Sequence, residues 1–182
     1  MARELRRALR SGTVAALIGL VVGTGGETAM AFTLSSASFS AGGEIPPQHT
    51  CTGANQSPVL SWRDAPPRTK CFALIVDDPD APAGDWVHWV LYDLPADASQ
   101  LPQAVPASET PASGGKQGLN DFQKIGYGGP CPPPGKPHRY FFKLYALDAP
   151  LNLQPRAGKS EVVRAMEGHV LGHTELVGTY KR

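Results

Sequence analysis

Two short segments rich in β-branched and aromatic residues constrain the fold of this chain more than any other feature. They cover residues 72–76 and 86–92, and each has the composition of a β-strand. The residues between them include two prolines and a glycine, which predicts a loop. The simplest arrangement is a hairpin, in which Asp78 at the end of the first strand lies near Trp86 and His88 at the start of the second.

The alternation of side chains along the second strand predicts what this hairpin presents. Successive side chains point to opposite faces of a sheet, so one face should carry Trp86, His88, Val90 and Tyr92. An acid, an imidazole and an aromatic ring would then meet at one rim. The alternative is a polar turn in which the loop aspartates cap backbone groups.

The rest of the chain favours a single β-rich domain. Its 182 residues suit one domain, and 18 prolines and 20 glycines with 18% charged residues favour strands and loops over a helical bundle. Residues 138–147 form the strongest strand pattern, with His138 and Tyr140 on one face. We predict a helix from an N-cap at Ser160 to about His169, ended by Gly172, and a closing strand over residues 176–180. The predicted fold class is therefore mostly β.

A long loop region follows the second strand. Residues 95–137 hold nine prolines and seven glycines, and loops of this length in a compact domain are commonly functional or disordered. The segment at 126–133 is not of low complexity, which predicts an ordered loop. Its glycines would allow backbone N–H groups to approach a ligand closely or to form an anion-binding nest.

The first 31 residues have the features of a secretory signal peptide. Four arginines precede an apolar stretch over residues 13–22, and Ala29-Met30-Ala31 matches a cleavage site. We therefore expect export to the periplasm or the exterior of a bacterium, with a domain over residues 32–182. An uncleaved anchor is the alternative. The exported chain would carry 13 basic and 14 acidic residues, a balance that does not indicate a nucleic-acid partner.

Three cysteines would enter that oxidising compartment, so at most one disulfide can form. Cys51 and Cys131 lie in loops and are the candidate pair, whereas Cys71 opens an apolar strand and should be buried and inert.

Several motifs of catalysis and metal binding fail on inspection. The chain lacks G-x-S-x-G, and Leu153 stands where a phosphate loop requires its first glycine. His169 and His173 have metal-ligand spacing, but a surface or capping role is the stronger interpretation. A metal held by Asp78, His88 and His138 is possible in principle, yet the sequence gives no positive indication of a metal or cofactor.

Together, several segments make the chain resemble the phosphatidylethanolamine-binding protein family, in its bacterial Raf kinase inhibitor-like branch. The matching segments are the Cys51 loop ending at Ser57-Pro58, residues 78–82, 86–89, 126–133 and 138–140, and Gly178-Thr179-Tyr180. The resemblance covers about residues 32–182 and implies a large antiparallel sheet packed on a smaller one. It also implies a small anion pocket formed by Asp78, Asp80, Pro82, Trp86, His88, Gly129, Cys131, Pro133, His138 and Tyr140.

The function implied is that of an exported, non-enzymatic binding protein for phosphate or a phosphoethanolamine head group. The acid should raise the pKa of the histidines, so anion affinity should fall as pH rises. An inhibitor of a protease or kinase and an acid–base enzyme acting on a phosphoester are the alternatives. A homodimer is also compatible with the resemblance.

Overall fold

The structure, a computed structural model, describes residues 30–182. The predicted signal peptide thus lies outside the described residues except for its last two. No helix within the described part is long and apolar enough to cross a bilayer. The elements in chain order are β1 (Thr33–Ser35), a 3₁₀ turn (Pro47–His49), β2 (Leu60–Arg63), β3 (Cys71–Asp78), β4 (Trp86–Pro95), β5 (Gln100–Leu101), β6 (Lys116–Gln117), β7 (His138–Leu147), α1 (Lys159–Met166) and β8 (Val170–Tyr180).

Two antiparallel sheets form the body of the protein. The larger has the strand order β6-β4-β3-β7-β8, and the smaller has the order β1-β2-β5. This confirms the predicted mostly β fold, with a large sheet packed on a small one and a short helix near the C-terminus. The central strand, β3, is buried along its whole length, because it is covered on both faces. Such a strand is apolar throughout rather than alternating.

Each face of the large sheet packs against a different partner. One face meets the small sheet, where the rings of Trp62 and Phe72 pack edge to face with centroids 5.5 Å apart. The other face is covered by α1, which contributes Val162 and Met166. Strict alternation along β7 places Tyr140 and its even-numbered neighbours on the small-sheet face, as the sequence predicts.

The same alternation separates two adjacent aspartates. Asp78 lies on the small-sheet face, whereas Asp77 lies on the helix face, where it is fully buried. The Asp77 carboxylate receives Lys143 at 2.8 Å and Lys159, the first residue of α1, at 2.6 Å. Lys159 also pairs with Asp85. Asp77 therefore fastens the start of the helix to the central strand.

A β-bulge in β4 overturns the predicted shared face. Val76 pairs with Trp89 and Asp77 pairs with Val87, so His88 is an extra residue on β4. Trp86 and His88 do share a face, but Val90 and Tyr92 point to the opposite side, into the core beneath α1. The prediction that these four side chains share one face was therefore wrong beyond His88.

Beside the bulge, β4 is bonded to a residue that lies far away in the chain. The Val87 N–H donates to a carboxylate oxygen of Asp121 at 2.6 Å, and the Val87 carbonyl accepts from the Asp121 N–H at 2.9 Å. Val87 keeps its pairing with Asp77, so these bonds attach Asp121 to β4 beside the bulge, and nothing in the local sequence of β4 signals them.

The helix prediction was correct in place and wrong in its ends. The α1 helix begins at Lys159 after Gly158, whose N–H donates to the Glu161 carboxylate at 2.9 Å, so Ser160 is not the N-cap. It ends at Met166, before Gly168 at φ 78°, and β8 begins at Val170. The predicted end at Gly172 is wrong because strand pairing with β7 claims these residues. His169 and His173 consequently do not share a helix; they contact Asp148 and Tyr145, respectively.

Candidate functional site

The candidate site is a cavity of about 240 Å³ where β3 ends and β4 and β7 begin. Antiparallel pairing sets Asp78 opposite Trp86, as the predicted hairpin requires. The lining residues are Asp78, Ala81, Pro82, Ala83, Trp86, His88, Phe122, Cys131, Pro132, Pro133 and His138. Three of the residues expected at the pocket, Asp80, Gly129 and Tyr140, lie outside this lining.

Asp78 and His138 form a buried pair on the cavity wall. The Asp78 side chain is only 4% exposed, and its Oδ2 atom lies 2.8 Å from His138 Nδ1. Its Oδ1 atom accepts the Asp80 N–H at 2.8 Å. Because an ionised carboxylate can only accept, Nδ1 of His138 carries the proton. Within residues 30–182, Nε2 of His138 makes no hydrogen bond, so it is the ring atom available to a ligand.

His88 is fixed in the same tautomer by a different partner. Its Nδ1 atom donates to the Gly128 carbonyl at 2.6 Å. Burial lowers the pKa of His88, and the Gly128 hydrogen bond and the charge of Asp78 oppose this effect without overcoming it. The expectation that a nearby acid raises the histidine pKa was therefore wrong for His88. Burial therefore outweighs the nearby charge and favours the neutral form of this imidazole.

Asp80 stabilises the site from outside. Its carboxylate accepts two hydrogen bonds from the Arg139 guanidinium, at 2.8 and 2.7 Å. This pairing with the Arg139 side chain lowers the pKa of Asp80 to about 2. The ion pair is exposed, so its net stabilisation is small. Its structural effect is to hold the Asp80 N–H against Asp78 and to join the loop to the start of β7.

Gly129 and Tyr140 lie behind the wall of the cavity. The Gly129 N–H donates to Asn55 Oδ1 at 2.7 Å. This N–H is therefore not free to donate to a ligand, contrary to our expectation. The Tyr140 ring packs edge-on against His88 at 5.2 Å. Its buried hydroxyl has no hydrogen-bond partner within residues 30–182. Burial, helped by the nearby charge of Asp78, raises the pKa of Tyr140 far above its ordinary value.

A disulfide forms part of the cavity rim. Cys51 and Cys131 are bonded, with Cα atoms 5.4 Å apart, and Cys131 lines the cavity beside Pro132 and Pro133. The third cysteine, Cys71, is a buried free thiol whose pKa burial raises to about 11. A thiol with so high a pKa is unreactive.

Four lining residues were not placed in the site by the sequence analysis, and Phe122 is the aromatic one; the others are Ala81, Ala83 and Pro132. The Phe122 ring packs edge-on against both Trp86 and His88, with centroids 5.4 Å away in each case. It is 37% exposed. The available signal was an aromatic residue isolated in a polar, glycine-rich loop, where no core is expected to hold it.

Comparisons with known proteins agree with the fold and the motifs. A family model described as phosphatidylethanolamine-binding protein matches residues 35–181. The UPF0098 protein of Methanothermobacter thermautotrophicus is 50% identical over 149 residues, which are 82% of this chain and 98% of that protein. The UPF0098 protein of Aquifex aeolicus is 48% identical over 149 residues, covering 81% of this chain and 86% of the relative.

Two crystal structures have the same architecture. The phosphatidylethanolamine-binding protein homolog CT736 of Chlamydia trachomatis has a TM-score of 0.77 and 39% identity, over 84% of this chain and 98% of its own. E. coli YbcL, described as a member of the mammalian family, has a TM-score of 0.77 and 33% identity, over 83% of this chain and 98% of its own.

The chain belongs to the phosphatidylethanolamine-binding protein family. This confirms the family and the bacterial branch predicted from the motifs. The fold and the relatives say nothing about a resident metal. Within residues 30–182, no group of three or more histidine, cysteine, aspartate or glutamate side chains is arranged to hold a metal ion.

Proposed function

We propose that this protein is a non-enzymatic binding protein whose cavity takes a small phosphate-type anion, either free or as a phosphoethanolamine head group. The observation that carries the proposal is the arrangement of His88 and His138. Both line one cavity of about 240 Å³, and in both the Nδ1 atom is occupied. Their Nε2 atoms are therefore the ring nitrogens that can meet a ligand.

The chemistry of these two atoms suits a phosphate that shares a proton with the protein. A neutral Nε2 accepts from a P–OH group, and a protonated Nε2 donates to a P–O⁻ oxygen. Asp78 offsets the charge of a protonated His138 at 2.8 Å. Trp86 and the prolines exclude water from the apolar remainder of the wall, which strengthens each of these hydrogen bonds.

Calorimetric titration with inorganic phosphate and with phosphoethanolamine tests this proposal. We expect saturable binding by the wild type, and at least roughly tenfold weaker binding by His138→Ala, since a charge-assisted hydrogen bond is lost. His173→Ala is the matched control, because that histidine lies exposed on β8, away from the cavity. A His138→Gln variant covers the case in which the alanine variant fails to fold. Absence of phosphate binding by folded wild type would contradict the proposal.

We further propose that the protein is exported and cleaved after Ala31. The basic and apolar pattern of residues 3–22 supports this. The Cys51–Cys131 disulfide fits an oxidising compartment. Cell fractionation followed by N-terminal sequencing is the test. A mature chain starting at Phe32 in the periplasm is expected, whereas an intact N-terminus in the cytoplasm would overturn the proposal.

A further inference from the structure

A second cavity adjoins the first and shares two of its lining residues. Its volume is about 310 Å³, and no histidine is among its lining residues. Phe122 and Cys131 line both cavities. The two cavities therefore meet at one aromatic residue and one cysteine of the disulfide.

The second cavity differs from the first in its chemistry. Its walls are supplied largely by Ala107, Ile125, Tyr127 and glycine backbone, and its polar groups come from Asn55, Asn120 and Lys124. The Asn55 and Asn120 side chains are already hydrogen-bonded to backbone groups. What this space offers a ligand is mainly apolar contact.

The turn that carries Phe122 is fixed at its base. Asn120 Oδ1 accepts the Lys124 N–H at 3.0 Å, and the Asn120 N–H donates to the Lys124 carbonyl at 2.9 Å. Asp121 is bonded to Val87 through both its carboxylate and its N–H. The backbone is thus held on both sides of Phe122, and rotation of its partly exposed ring is the movement left to it.

Gly128 is a further sign that the ring position matters. A Cβ atom at Gly128 would lie 2.6 Å from Phe122 Cδ2. The backbone approaches the ring so closely that a side chain there would displace it. The ring therefore rests against Gly128, which lines the second cavity, and its edge faces Trp86 and His88 in the first.

We infer that Phe122 is a side-chain gate, and that the ligand is a phosphomonoester carrying a short apolar chain. The inference rests on the proposed function, since the phosphate occupies the first cavity beside His88 and His138. Rotation of the Phe122 ring lets the chain enter the second cavity. The ring gives up its edge contacts with Trp86 and His88 and exchanges them for contact with the ligand chain.

An alkyl phosphate series tests the gate. The probes are inorganic, ethyl, butyl and hexyl phosphate, and the measured quantity is the affinity of each ester relative to inorganic phosphate for the same protein. Burial of a methylene group strengthens binding roughly fourfold at most. We expect this ratio to rise with chain length for the wild type, and to rise further for Phe122→Ala, which no longer has to displace a ring.

Two alanine-to-phenylalanine variants locate the chain. Ala107→Phe fills the second cavity and should return the hexyl ratio to about that of ethyl phosphate. Ala112→Phe makes the same change at an exposed position away from both cavities and should keep the rise. Circular dichroism confirms folding, and Phe122→Leu provides a milder opening of the gate.

The outcomes separate the two proposals. If inorganic phosphate binds but the ratio does not grow with chain length in either the wild type or Phe122→Ala, the gate is refuted and the phosphate site stands. If the ratio grows and Ala107→Phe leaves it unchanged, the chain lies elsewhere and the gate is again refuted. If folded wild type binds no phosphate at all, both proposals fail together.

Discussion

Phosphate affinity should fall as pH rises above neutrality, because the two cavity imidazoles have no free N–H when they are neutral. The Nδ1 protons of His138 and His88 are held by Asp78 and by the Gly128 carbonyl, respectively. A phosphate dianion therefore meets two lone pairs. A complex forms only when a proton is added, either to an imidazole or to the phosphate itself.

The size of the effect follows from this proton count. Uptake of one proton per complex weakens binding about tenfold, or about 1.4 kcal/mol, for each pH unit. The dependence should be fully developed between about pH 7.5 and about pH 8.5, where both an ordinary imidazole and a phosphomonoester have lost the proton. The pKa of His88 is lowered, so this imidazole is also deprotonated across that window. Its protonation on phosphate binding is then more costly, which further weakens binding.

Calorimetry in two buffers of different ionisation enthalpy measures the proton uptake directly, and titrations across the pH window give the slope. His88→Gln should flatten the dependence, because a glutamine amide donates at every pH. His173→Gln, on the exposed part of β8, is the matched control and should behave as wild type. Affinity that is constant over the window, or uptake of no proton, would refute the reasoning.

Three further predictions concern stability. Gly129→Ala should lower the free energy of unfolding in urea by about 2 kcal/mol, because its Cβ would overlap the backbone carbonyl oxygen of His49 as well as the Asn55 side chain. An unchanged midpoint would contradict this. The Cys51–Cys131 bond closes a sequence separation of 80 residues. Its reduction should destabilise the fold by about 4 kcal/mol, because the unfolded chain gains conformational entropy. The melting temperature should fall, and Cys51→Ser should show the same decrease without reductant. Burial lowers the pKa of His88 below its ordinary 6.5, so the stability that this residue contributes is present above about pH 6.5 and is lost as pH falls. Ligand-free His88→Gln should therefore lose less stability than wild type on acidification. Parallel plots of unfolding free energy against pH would contradict this.

Much of the fold could be predicted because its longer strands have clear hydrophobic patterns within short stretches of sequence. β7 alternates cleanly over residues 138–147, and β3 is an apolar run bounded by loop residues. The pairing of Asp78 with Trp86 then follows from the short loop between them. These features depend on residues close together in the chain, which is why sequence reasoning reaches them.

The features that sequence reasoning missed depend on distant residues. The bulge at His88 lies beside hydrogen bonds between Val87 and Asp121, which are 34 positions apart. The end of α1 was placed at Gly172 rather than before Gly168, because only pairing with β7 shows that the intervening residues belong to a strand. The pKa of His88 follows from burial, which cannot be known before the loop over residues 120–129 is folded onto it.

The two adjacent aspartates of β3 have unrelated structural roles on opposite faces of the central strand. Asp77 is committed to attachment of the helix, and Asp78 to orientation of a cavity imidazole. Insertion or deletion of one residue within β3 would exchange their faces, leaving Lys159 without its anchor and His138 without its carboxylate. The acidic pair thus fixes which residues of β3 face each side of the sheet. Insertions and deletions of single residues should therefore be tolerated least in this strand.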